Sequence, residues 1–117
     1  MTLTEKIQQS LTDDLRRPPY QGDPNPVRGH CYVASEAAYH LMGGKASGYV
    51  PCHIRHEGGS HWFLRGSDGT VIDITSGQFA TPVPYHSGTG KGFLTRQPSR
   101  RAQVVMDRVR ETVRPAR

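Results

Sequence analysis

The chain has 117 residues, a formal net charge of +5, 34% hydrophobic and 21% charged residues, which allows one modest globular core and excludes two. No apolar run approaches the ~20 residues of a membrane span, and "MTLTEKIQQSLTDDL" lacks the basic and apolar parts of a signal peptide, so a cytoplasmic protein is expected. Two cysteines are too few for a disulfide scaffold, which fits the same reducing setting.

Thr2 and Glu5 have the spacing of a capping box, and Leu3, Ile7, Leu11 and Leu15 recur every four residues, predicting a first helix over 3–15. "RRPPYQGDPNPVRG" then forces an irregular path through four prolines. A second helix is predicted from Cys31 to Met42, stopped by Gly43 and Gly44. "YVPCHIRH" alternates Val50, Cys52 and Ile54 with more polar residues and reads as a strand, with Pro51 placing it at a sheet edge. "EGGS" and "GSDG" turn the chain into "HWFLR" and "TVIDIT", giving a three-stranded antiparallel meander.

Residues 76–97 are rich in Gly, Pro and polar residues and read as a long ordered loop with one short strand at 92–95. A last helix over about 99–114 buries Ala102, Val105, Met106, Val109 and Val113. Residues 98–117 carry six arginines against Asp107 and Glu111, so most of the net positive charge lies in this segment. A solvated helix face explains it, and nucleic acid is the weaker candidate partner because no aromatics interleave the charge. The order of elements describes a single α+β domain over 1–117, with helices on a three- to four-stranded antiparallel sheet. Its small core is compatible with a dimer, although the oligomeric state stays open.

Cys31 begins the second helix, where the partial positive charge of the N-terminus favours a thiolate. Of six histidines, His61 stands out for opening an apolar strand, and Asp73 for interrupting a buried-looking one, where a carboxylate needs a partner. Hairpin geometry decides whether they meet. A two-residue loop at Ser67–Asp68 places them on opposite faces. A three-residue loop with Gly69 left-handed pairs Gly66 with Thr70 and puts His61 diagonal to Asp73 on one face. Glycine at 69 favours the second.

This order resembles the papain-like superfamily in its circularly permuted and transglutaminase-like branches, which include transglutaminase-core proteins, bacterial cell-wall cysteine peptidases and arylamine acetyltransferases. The likeness covers residues 28–76 and is carried by Cys31 at its helix start and by "HWFLRGSDGTVIDIT" from His61 to Thr75; Tyr32 stands where transglutaminase-like members often carry tryptophan. It implies a small papain-like or transglutaminase-like domain with Cys31 as nucleophile, His61 as base and acid, and Asp73 as the orienting group. Gln21 and Asn25 are candidate oxyanion donors beside the Cys31 main-chain N–H. His30, Trp62, Gln78 and Tyr85 are candidates for the substrate cleft.

The function implied is a cysteine hydrolase (a thiol protease, isopeptidase or amidase) acting through a thioester on a protein or peptide substrate, without cofactor or metal. An acyltransferase of transglutaminase type and a non-enzymatic binding protein of the same fold are the alternatives. Zinc ligation by "HC" at 30–31 and "CHIRH" at 52–56 is a poor match, because a strand sends Cys52 and His53 to opposite faces. Cys52 reads instead as a small buried hydrophobe. "SGTGKG" at 87–92 lacks the first glycine of a phosphate loop.

Overall fold

A computed structural model describes residues 1–112. The first helix, α1 (Leu3–Ser10), is closed by the expected capping box: Thr2 Oγ1 accepts from Glu5 N at 3.1 Å and the Glu5 carboxylate accepts from Thr2 N at 3.2 Å. The helix ends at Ser10 and not at residue 15. The Ser10 hydroxyl donates back to Lys6 O at 2.8 Å and Leu11 turns to an extended ψ of 122°. Leu15 still reaches the core, but through a separate 3-10 turn at Asp13–Leu15.

Helix α2 (Cys31–Leu41) has Met42 as its last half-turn and stops at Gly43, whose φ of +108° is the left-handed region glycine favours. It buries Val33, Ala34, Ala37 and Ala38, whose small side chains allow close approach of α1 and of α3 (Arg100–Thr112). Helix α3 contributes Ala102, Val105, Met106 and Val109 to the same core; Val113 and the rest of the expected 99–114 helix lie outside the described residues. The buried Glu36 on α2 fastens α3, accepting from Ser99 N and Ser99 Oγ at 2.7 Å each, while Ser99 Oγ caps Ala102 N at 3.2 Å.

The sheet is antiparallel in the order β3-β2-β1-β4, built from β1 (Val50–His56), β2 (Gly59–Arg65), β3 (Val71–Ile72) and β4 (Thr89–Gly90). The architecture is therefore α+β: three helices against a four-stranded sheet. Strand β1 is not an edge. Its Pro51 has no N–H to give, but its carbonyl accepts from Lys91 N at 2.9 Å, so β4 docks on that side at residues 89–90 and the strand expected at 92–95 is absent.

The β2–β3 turn is the three-residue one. Gly69 has φ of +87°, Gly66 N donates to Thr70 O at 2.7 Å, and Leu64 pairs with Ile72. The ladder stops after Ile72 because Asp73 Oδ1 accepts from Thr75 N at 3.2 Å, an Asx turn that peels the chain off the sheet. Leu64 faces the helical core, while Phe63 joins Cys52, Ile54 and Val83 in a second cluster. The period of two along β2 thereby assigns His61 and Phe63 to one face and Trp62 and Leu64 to the other.

Candidate active site

Strand β2 begins where the N-terminus of α2 arrives. Cys31 is half-buried, and its thiol donates to the main-chain oxygen of Ser60 at 3.8 Å, which sets it against the residue preceding His61. His30, the N-cap of α2, offers no side-chain hydrogen bond to the helix. The first-turn N–H groups beside Cys31 thus keep their positive field undiminished by a capping side chain.

His61 is completely buried, and its Nε2 donates to Asp73 Oδ2 at 2.7 Å. Asp73, itself 3% exposed, is held from two further directions: Tyr85 donates its hydroxyl to Oδ2 at 2.7 Å and Thr75 N donates to Oδ1. With Nε2 engaged, His61 Nδ1 is buried and makes no hydrogen bond among the described residues. Burial opposes the charged imidazole, but the hydrogen bond to Asp73, the nearby Cys31 sulfur and the negative charge of both outweigh it and carry the pKa up to about 9. Phe79 closes the site edge-on to the His61 ring at 4.6 Å. Burial, the Asp73 hydrogen bond and the Asp73 charge push the Tyr85 hydroxyl above its ordinary range, so it stays a donor.

The hairpin thus brings His61 and Asp73 together and α2 brings Cys31 to them. The remaining candidates separate. Gln78 lines a cavity of about 200 Å3 alongside Ser60, with Arg28, Phe79 and the Glu57–Gly59 turn. Tyr85 has its hydroxyl engaged by Asp73 Oδ2. Trp62 is on the other face of β2, packed edge-on against Tyr32 at 5.0 Å and stacked with Phe93 at 5.6 Å. His30 is 1% exposed and accepts from Arg16 Nε at 3.2 Å, which removes it from any cleft. Gln21 Nε2 donates to Arg16 O at 3.1 Å within its own segment, and Asn25 Nδ2 donates across to Gly77 O at 3.3 Å.

A family comparison adds membership to this geometry. The chain belongs to the YunG protein family. The match spans residues 3–114, nearly the whole chain, and takes in all three helices and the sheet. No curated protein and no solved structure matches it. The family description states no activity, so the chemistry rests on the residues themselves.

One contributor was not legible in the sequence, and a second was legible only in another role. Arg16 is 4% exposed and donates to Asp13 Oδ1 (3.0 Å), Asp23 O (2.7 Å), Asn25 O and His30, pinning the proline-rich segment that leads into Cys31. Tyr85 arrives from a long loop that packs Gly88 against Phe63, where a Cβ would meet the ring at 2.5 Å. That close approach is the reason for glycine at 88. Among the described residues no three His, Cys, Asp or Glu side chains gather as a metal site, and no helix is long and apolar enough to cross a membrane.

Proposed function

We propose that the protein is a cysteine hydrolase of papain-like or transglutaminase-like type, cleaving an amide of a protein or peptide substrate. The supporting observation is the buried His61–Asp73 pair, whose unpaired Nδ1 lies on a ring that Cys31 also acts upon. The Cys31 thiolate attacks the carbonyl carbon, and the resulting oxyanion is met by the Cys31 N–H at the start of α2. His61 gives its proton to the departing amine, leaving a thioester on Cys31. Water then attacks the thioester as His61 takes its proton, the acid is released, and the thiolate returns beside an imidazolium. Asp73 fixes the ring and its tautomer throughout. The reducing cytoplasm suits a thiolate that must stay unoxidised.

The pH dependence of Cys31 alkylation by iodoacetamide tests this, in a Cys52→Ser background to silence the second thiol, which burial holds above its ordinary range. The expected midpoint lies well below the ~8.5 of a free thiol and is lost with His61→Ala. A midpoint at or above ~8.5 that ignores His61 overturns the proposal.

A further inference from the structure

A second cavity, of about 320 Å3, lies on the Tyr32–Val33 side of α2, between α1's following turn, the 92–95 loop and the start of α3. It is distinct from the Cys31 thiol, which points to Ser60. Its floor is apolar: Leu15 and Val33 are each 6% exposed, and Tyr32 is held in place by Trp62, Phe93 and a hydrogen bond from Leu94 N to its hydroxyl at 2.8 Å. Leu94 stands 82% exposed at its rim. Around this floor are Arg17, Arg100 and Arg101, and none of the three guanidiniums makes an ion pair or hydrogen bond among the described residues. Glu36, whose charge also reaches Tyr32, has both carboxylate oxygens taken by Ser99.

Three guanidiniums without an ion-pair partner over an apolar hollow are an arrangement with a specific complement. We infer that this cavity binds a small amphipathic anion, a carboxylate or similar acid head on a single apolar body. The head meets the arginine fork, whose planar donors match carboxylate oxygens, and the body displaces water from Leu15, Val33 and Tyr32. The volume falls within the ~300–1,000 Å3 of small-molecule sites, which favours such a ligand over an extended acidic peptide. The Tyr32 ring is already engaged by Trp62 and Phe93, which leaves a nucleic acid base no ready stacking platform.

Octanoate is the probe, titrated calorimetrically and by the fluorescence of Trp62, the lone tryptophan, whose ring contacts Tyr32. Saturable one-to-one binding is expected, at least tenfold tighter than that of 1-octanol or acetate, and weakened at least tenfold by raised salt or by Arg100→Ala with Arg101→Ala. Arg17→Ala, on a different element, should weaken it as well and guards against misfolding of the α3 double variant. Circular dichroism verifies both folds, and Cys31 alkylation should be unchanged in all variants. Absence of octanoate binding, equal affinity for 1-octanol, or retention of affinity in both arginine variants would overturn the inference. Preference for hexaglutamate over octanoate would overturn it too, in favour of an acidic peptide.

Discussion

His30 and His61 both neighbour Cys31, the first as the N-cap of its helix and the second across from its sulfur, and they share more than they differ in. Both are buried, both use Nε2 for a single strong partner, and both leave Nδ1 without one among the described residues. Yet burial, reinforced by the Arg16 charge, carries His30 down to about 4, although Asp13 and Asp14 pull the other way. For His61 burial also favours the neutral ring, but Asp73 and Cys31 overcome it and the value rises to about 9. With burial favouring the neutral ring in both, the sign of the partner's charge decides which buried imidazole holds its proton. One histidine anchors the loop that leads into Cys31; the other keeps its proton beside the Cys31 sulfur.

The most severe way to break the contrast is Asp73→Asn, which gives His61 a neutral neighbour. Its pKa should fall from near 9 toward or below the ordinary 6.5 as burial takes over. On the proposed mechanism, turnover should drop about 10⁴-fold, as in catalytic triads in which the carboxylate becomes an amide. Titration of the His61 ring by NMR, alongside peptidase or amidase assay, separates a lost carboxylate from a lost fold. A ring that still titrates near 9 would remove Asp73 from the mechanism.

Next in size is Arg16→Gln. It deletes a buried guanidinium and strands the carbonyls of Asp23 and Asn25 as well as His30 Nε2. A loss of about 3 kcal/mol is expected in urea unfolding, since charged hydrogen bonds are each worth ~1.5–3 kcal/mol and their partners stay buried. A change below about 1 kcal/mol would mean that the loop holds without it.

The two histidines also make opposite demands on pH. Between about 4 and 6.5 the unfolded chain binds the His30 proton that the folded protein refuses, so stability falls as pH falls through that window. Between 6.5 and about 9 the folded protein holds the His61 proton that the unfolded chain has released, so stability falls as pH rises. Each limb has a slope of at most ~1.4 kcal/mol per pH unit, with the maximum near 6.5. His30→Gln should flatten only the acid limb and His61→Gln only the alkaline one, as read from unfolding at a series of pH values.

Much of this was legible in the sequence, and what was not has a physical reason. Gly69 disclosed the hairpin register because only one loop needs a left-handed residue there, and that register brought His61 to Asp73. Cys31 was legible as a helix start because the following residues pack and Gly43 stops them. The end of α1 was hidden because Leu11 and Leu15 continue its apolar spacing even after the helix has given way to a 3-10 turn. Strand β4 was misplaced because its position depends on the Pro51 carbonyl, some forty residues earlier, and not on its own side chains. A buried arginine is a rare occurrence that composition does not announce, so Arg16 was missed and His30 was assigned to a cleft. Tyr85 was noticed, but the loop that carries it could not be traced from sequence to the far side of Asp73.

The finest adjustment to the His61 side is Tyr85→Phe, which keeps the ring against Phe63 at 5.0 Å and removes only the hydroxyl. Asp73 loses one of the donors on Oδ2, so its charge is less satisfied and its pull on the His61 proton grows. The His61 pKa should therefore rise slightly, whereas Asp73→Asn lowers it. The opposite directions distinguish tuning of the carboxylate from simple damage to the site. With about 1 kcal/mol of alignment at stake, turnover should fall by less than tenfold and appear in kcat with KM unchanged. If Tyr85→Phe instead raises KM alone, Tyr85 touches substrate after all. The hydroxyl would then belong to the cleft and not to the support of Asp73.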